Sequence, residues 1–355
     1  MKTPTISSLR ERDAKLTEAW YVFALSRELG RNSSLSRVVY DRPLIAMRDA
    51  DGQASVFRAA CLHRAADLSE GHMEEGCLRC PYHGWTYDSQ GEVVHVPSEG
   101  PDSRPKNRMR LPKLPSVERD GCLWVWTGES TPPPEASAPG YRFPETGPGW
   151  RSYFMITDFE NEVTHLAENF MDVPHTVFVH RGWFRSQALR PVPIRVDTSQ
   201  GRVLVTYDQS GDVIGFTSKL VNPKGHPMKH TDCFIYPNVT QVDYNFGPTD
   251  GFSIISQITP VTTHRCRVYT RIAYRIPFLG GLLKPFFRFY TRRVIEQDVV
   301  IMRNQSRSML ANPDAVFHST TADIVHLAIE RLRRIGSEGG RPDEVRHSQS
   351  TTIWV

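Results

Sequence analysis

Two short stretches of the chain set cysteine beside histidine: Cys61-Leu62-His63 and, after sixteen intervening residues, Cys80-Pro81-Tyr82-His83. Two cysteines and two histidines, grouped in pairs, suit a [2Fe–2S] cluster. Thiolates hold one iron and neutral imidazoles the other, which removes negative charge and raises the potential. A zinc site draws on the same residue types, and Cys77-x-x-Cys80 is itself a plausible zinc or redox pair. Taking Cys77 as a ligand leaves Cys61 and His63 at odd spacing, so Cys77 reads as structural.

A second constellation runs from Glu168 through Asn169, Asp172, Pro174 and His175 to His180. Two histidines and an acid are what a facial-triad ferrous site needs, because three protein ligands leave positions open. His175 and His180 are separated by roughly 140° on a straight helix, so both can face one ion only if the helix is distorted. Pro174 supplies a reason for a break. Asp172 lies three residues from both Asn169 and His175 and can neighbour each. His165, on the same helix, reads as a packed or exposed histidine rather than a ligand. The third ligand must come from far along the chain. Asp298 sits among Val294, Ile295, Ile301, Met302 and Gln305, where a carboxylate is costly to bury unless paired or bound to metal. Asp298 is the preferred acid, with Glu296 as the alternative.

These residues need two kinds of scaffold. From Trp20 to about Gly128 short apolar runs alternate with turn signals: Arg37–Tyr40, Leu44–Arg48, Ser55–Ala60, Val93–Val96 and Leu123–Trp126 read as strands of a small β domain. Asp51-Gly52 and Asp88–Gly91 are its turns. Residues 129–150 are rich in Pro, Gly and Ser and mark a boundary. Beyond it, Tyr153–Thr157 reads as a strand, Glu162–His180 mainly as helix, and Val203–Tyr207, Cys233–Ile235, Thr240–Tyr244, Phe252–Thr259 and Cys266–Ile276 as one antiparallel sheet. Long helices follow from Pro285 to about Leu310 and over Thr321–Arg334. The expected fold class is α+β, with a small all-β domain followed by a larger helix-grip-like domain whose helices gather on an antiparallel sheet. The expected organisation is an arm over residues 1–18, domains over 19–130 and 151–340 with a linker at 131–150, and a polar tail over 341–355.

Composition narrows the function classes. Lys plus Arg number 43 against 39 Asp plus Glu, a net charge of +4, and the basic residues are scattered. No nucleic-acid face is expected. Six cysteines in 355 residues are too sparse for a disulfide scaffold. The polar N-terminus lacks the pattern of a secretion signal, and no run reaches the ~18 apolar residues of a membrane span. A cytoplasmic location is therefore expected. The apolar stretch Ile276–Leu283 reads as a buried loop, with a membrane-surface or substrate-entry role as the alternative.

The segment CLHRAADLSEG…GCLRCPYHGWTYDSQGEVVHVP resembles the Rieske family, with Ala65-Ala66 standing where relatives often carry a glycine. N-x-x-D-x-x-H-x-x-x-x-H, read here from Asn169 to His180, resembles the catalytic segment of Rieske non-heme iron oxygenases. The resemblance spans about Trp20 to Leu310. It implies that Cys61, His63, Cys80 and His83 bind the cluster and that His175, His180 and Asp298 bind a mononuclear Fe(II). Asp172 would bridge to a cluster histidine of the neighbouring subunit in a head-to-tail homotrimer, and Asn169 would lie near the iron. Electrons would come from NAD(P)H through a separate reductase or ferredoxin, since the chain carries no glycine-rich dinucleotide fingerprint. The implied activity is oxygenation of an apolar, aromatic or alicyclic small molecule by hydroxylation or oxidative demethylation. The chain's size is more like the monooxygenase and demethylase branch than the ring-dihydroxylating dioxygenases. A Rieske electron carrier without oxygenase activity is the rival from another class.

Overall fold

The computed structural model describes residues 6–8, 15–103, 105, 107–132, 139, 141–144, 147–180, 190–208, 222, 225–247, 249–276 and 284–355. The chain divides into two compact units, Thr17–Phe143 and Met1–Leu16 with Pro144–Val355. The loose arm expected at the N-terminus instead contributes a strand to the second unit: β1 (Ile6–Ser8) pairs antiparallel with β20 (Val316–His318). Residues 277–283, which include most of the apolar stretch noted above, lie outside the described residues.

The first unit is all β. A sheet of β10 (Lys113–Leu114), β5 (Ala54–Arg58), β4 (Arg42–Arg48) and β3 (Ser33–Val39) stands beside one of β11 (Ser116–Arg119), β12 (Cys122–Trp126) and β2 (Trp20–Leu25). β2 and β12 are buried along their whole length, as their bulky, apolar sequences require. A third sheet, of β6 (His72–Glu74), β7 (Cys77–Arg79), β8 (Thr86–Tyr87) and β9 (Val93–His95), carries the second Cys/His loop. The turn before β9 is fixed by Asp88, whose Oδ1 accepts from the backbone of Gln90 and Glu92. Gly91 closes it at φ +77°, where a Cβ would fall 2.5 Å from the Phe57 ring; only glycine fits. Part of the expected linker belongs to this unit. Arg119 donates to the Tyr141 carbonyl and Asp120 accepts from the Phe143 amide, so Phe143 is buried beside Trp124.

The second unit is built on eight antiparallel strands in the order β13 (Arg151–Phe159), β19 (Arg265–Arg275), β18 (Asp250–Thr262), β17 (Val239–Phe246), β16 (Met228–Ile235), β15 (Arg202–Tyr207), β14 (Pro191–Ser199) and β21 (His347–Trp354). β21 overturns the expected polar tail. Its residues are polar because it is an edge strand, with Ile353 alone fully buried against the core. Among the described residues three helices pack on the sheet: α1 (Val163–Met171), α2 (Lys284–Ala311) and α3 (Ile324–Ser337). α1 is buried nearly all round, between sheet and helices, in a core that includes Leu166, Val196, Val205 and Leu332. Asn161, just ahead of α1, donates to the Met302 carbonyl at 3.0 Å and to Gln305 Oε1 at 2.9 Å, tying α1 to α2. Among the described residues no helix is long and apolar enough to cross a membrane.

Candidate metal centres

The two Cys/His loops of the first unit share one backbone scaffold. In the first, the Cys61 amide donates to the Ala66 carbonyl and the Ala65 amide donates to the Cys61 carbonyl. In the second, the Cys80 amide donates to the Trp85 carbonyl and the Gly84 amide to the Cys80 carbonyl. The residue four after each cysteine is left-handed, Ala65 at φ +54° and Gly84 at φ +72°. The second loop tips the β7–β8 hairpin, whereas the first is closed only by a bridge between Ala60 and Asp67. His63 and His83 lie with ring centroids 4.6 Å apart, and His63 stacks flat on Trp85. Tyr87, fully buried, brings its hydroxyl to 3.1 Å from Cys61 Sγ while accepting from the Leu62 amide.

The residues present fit a two-thiolate, two-imidazole cluster. Both thiols are buried side by side, and burial, with the neighbouring Cys61, pushes the Cys80 thiol up. His63 Nδ1 is buried with no hydrogen-bond partner. Desolvation and the adjacent His83 hold His63 below the ordinary imidazole range, in the neutral form a ligand needs. Cys77 stands apart, in the β6–β7 hairpin opposite Glu74.

In the second unit α1 ends at Met171, capped by Asp172 in an extended conformation, and a short 3-10 turn follows over Pro174–Val177. Glu162–His180 is therefore not one helix, and the break frees His175 and His180 from the roughly 140° separation of a straight one. Their Nε2 atoms come within 3.2 Å of each other. Asp298 Oδ1, from the buried face of α2, lies 3.5 Å from His175 Nε2 and 3.2 Å from His180 Nε2. One ligand atom from each of the three lies within 4.8 Å of the others. Asp298 Oδ1 is buried without a geometrically sound hydrogen bond. Three converging donor atoms, one of them orphaned, suit a divalent ion. Glu296 is exposed and paired with Arg292 and Arg293, so it is no ligand candidate.

Neighbouring side chains orient these groups. His180 Nδ1 lies 2.9 Å from Gln297 Oε1, which directs Nε2 inward. Asp172 Oδ2 accepts from the His175 amide and lies 3.5 Å from His175 Nδ1, while Oδ1 lies 3.8 Å from His326 Nε2 on α3. Burial opposes a charge on His175, but the Asp172 and Asp298 carboxylates prevail and raise it to about 9. Burial likewise opposes ionisation of Asp298, yet the two imidazoles hold its carboxyl below the usual range. Asn169 is buried beside this group. His165 is a core histidine between Glu162 and Glu168, each at 3.3 Å. Gln297 and His326 escaped the sequence reading. Gln297 had a signal, its place next to Asp298, whereas His326 had none.

His175, His180 and Asp298 stand in the wall of a cavity of about 140 Å³ between the sheet, α1 and α2. Its lining is mainly aromatic and branched aliphatic, including Phe159, Phe170, Ile254 and Val294. A confined apolar space beside an open metal position would hold a small organic molecule against the ion.

Comparison with known proteins agrees with this make-up. Residues 19–117 match the Rieske [2Fe-2S] domain family, and residues 161–336 match the vanillate O-demethylase oxygenase C-terminal domain. The chain is 33% identical to aminopyrrolnitrin oxygenase PrnD of Pseudomonas fluorescens over 49% of its own length and 48% of that protein's. It is 34% identical to the oxygenase component of dicamba O-demethylase of Stenotrophomonas maltophilia over 52% of this chain and 53% of that one. The matches thus span about half the length of these curated relatives. Dicamba monooxygenase bound to dicamba superposes with a TM-score of 0.75 at 23% identity, covering 92% of this chain and 98% of that one, which speaks for the fold. With both domains present in order, the protein belongs to the Rieske non-heme iron oxygenase family.

Proposed function

We propose that the protein is a terminal oxygenase that hydroxylates or oxidatively demethylates an apolar, aromatic or alicyclic small molecule. The observation that carries this reading is the convergence of His175 Nε2, His180 Nε2 and Asp298 Oδ1 in the wall of an apolar cavity. Cys61, His63, Cys80 and His83 hold the [2Fe–2S] cluster, and His175, His180 and Asp298 hold one Fe(II). When bound, the ferrous ion offers open positions for dioxygen, and the cluster supplies electrons singly. Gln297 fixes the His180 ring, and Asp172, which accepts from the His175 amide and lies 3.5 Å from its Nδ1, keeps the Nδ1 edge of His175 towards itself and the Nε2 edge towards Asp298. Asp172 also serves as the bridge to a cluster histidine of the next subunit in a cytoplasmic homotrimer, with Asn169 flanking the iron. The apolar lining holds the substrate and excludes bulk water. A separate NAD(P)H-dependent reductase, with or without a ferredoxin, is the electron source.

The test is iron and acid-labile sulfide per chain in anaerobically purified protein, wild type beside His175→Ala/His180→Ala. Three irons and two sulfides, falling to two irons with the cluster spectrum intact, support both sites. Two irons in both proteins, unchanged after ferrous reconstitution, leave an electron carrier and sink the oxygenase assignment.

A further inference from the structure

The sheet face beneath the cavity is ordered in rows. Register places Asp232 of β16 opposite Val242 of β17, Val242 opposite Ile254 of β18, and Ile254 opposite Ile272 of β19. All four line the cavity. At ~4.8 Å per strand this row is roughly 14 Å long. It is a branched aliphatic strip with a carboxylate at one end. A second row of cavity-lining residues, Thr240, Ser256 and Thr270, runs parallel and carries hydroxyls, with Ser256 Oγ and Thr270 Oγ1 3.1 Å apart. On the other side Tyr244 and Phe252 face each other across the strands.

Asp232 is only 1% exposed and stands in the cavity wall apart from the His175, His180 and Asp298 group, at the end of the aliphatic row. It is held from two sides. Tyr207 OH donates to Oδ2 at 2.6 Å, and His230 Nε2 lies 2.8 Å from Oδ1. His230 is clamped in turn between the rings of Tyr207 and Tyr244, with centroids 4.2 and 4.4 Å away and planes nearly parallel. Burial and the Asp232 charge push the Tyr207 hydroxyl far up, so it remains a donor. An ionised carboxylate has about four lone-pair sites, and two donors leave it acceptor capacity. A buried acceptor fixed in place by a rigid network costs a ligand little reorganisation, and it discriminates among ligands by what they can donate.

We propose that Asp232 is a specificity-determining residue and that the substrate class is an elongated apolar molecule with a hydroxyl or amine N–H at one end. The apolar body lies along the Val242–Ile254–Ile272 row and the donor meets Asp232. This rests on the cavity being the substrate site of the proposed oxygenase.

Calorimetry on the anaerobic holoprotein without reductant tests it with three matched probes: 4-hydroxybiphenyl, 4-methoxybiphenyl and biphenyl-4-carboxylate. The phenol is expected to bind about tenfold or more tightly than the other two, as a charge-assisted hydrogen bond allows. In Asp232→Asn that preference shrinks several-fold. Equal binding of phenol and methyl ether, tighter binding of the carboxylate, no binding of any probe, or an unchanged preference in a folded Asp232→Asn protein overturns the proposal. If the variant does not fold, the wild-type ranking alone decides. Iron content measured on the same samples keeps the two readings apart: a missing third iron counts against the oxygenase assignment, whereas a flat ranking in fully loaded protein counts against Asp232.

Discussion

Ferrous binding to this protein should consume hydroxide in a predictable way. Two carboxylates, Asp172 and Asp298, raise His175 to about 9 in the metal-free site, yet only the neutral ring can offer Nε2 to an ion. Near neutrality the site is therefore occupied by a proton that metal must displace. At pH 7 the gap is about two units, and at ~1.36 kcal/mol per unit it weakens apparent affinity by roughly 100-fold relative to the deprotonated site. Apparent affinity should rise about tenfold per unit from pH 6 to 8, and about one proton should leave per ion bound. Anaerobic competition titration against a ferrous chelator gives the first quantity. Calorimetry in two buffers of different ionisation enthalpy gives the second. Asp172→Asn removes one of the carboxylates that raise His175, so both the slope and the proton count should fall. A flat affinity over this range, with no proton released, would refute the reasoning.

Other perturbations separate the roles of single residues. Gln297→Leu removes the partner of His180 Nδ1 and should weaken ferrous binding roughly 10- to 100-fold while helical circular dichroism stays unchanged. Ala65→Gly relieves a left-handed alanine and should stabilise the first unit by about 0.5–1 kcal/mol, read as a higher temperature for loss of the cluster spectrum. Glu118 is held below its ordinary value chiefly by its hydrogen bonds with Arg48. Its contribution is thus full above an ordinary carboxylate value and lost as pH falls through the depressed folded one. Glu118→Gln should destabilise the first unit at pH 7 and flatten the loss of stability as pH falls below the ordinary carboxylate range, read in denaturant titrations.

The residues that converge in the two candidate metal centres are legible because their chemistry is compressed into short motifs. Cys61–His63, Cys80–His83 and Asn169–His180 each occupy a few consecutive residues, and Asp298 shows as an acid on an apolar helix face. The break in the segment before His175 was announced by Pro174. Strands β14 and β21 were not legible. Pro191 and Pro193 open β14, and prolines argue against a strand that, in fact, pairs on both sides once Ile194 is reached. β21 reads as a tail because its one fully buried side chain within the strand leaves no alternation to detect. Tyr207 could not be linked to His230 and Asp232 from sequence, since only strand register brings β15 beside β16.

The strand order also dictates a sequence of assembly. From β14 to β19 each strand lies beside its predecessor in the chain, and all links but that of β15 to β16, residues 208–227, are two or three residues long, so most of this part of the sheet closes at little cost in chain entropy. The two outer pairings differ. β13 must find β19 across residues 160–264, and β21 must find β14 across residues 200–346. Distant pairings of this kind are the slow ones. The segment bearing Asp172, His175 and His180 is strung between β13 and β14. Its final placement is therefore expected to wait on the slowest closures of the sheet, so that His175, His180 and Asp298 come together late in folding rather than at the start.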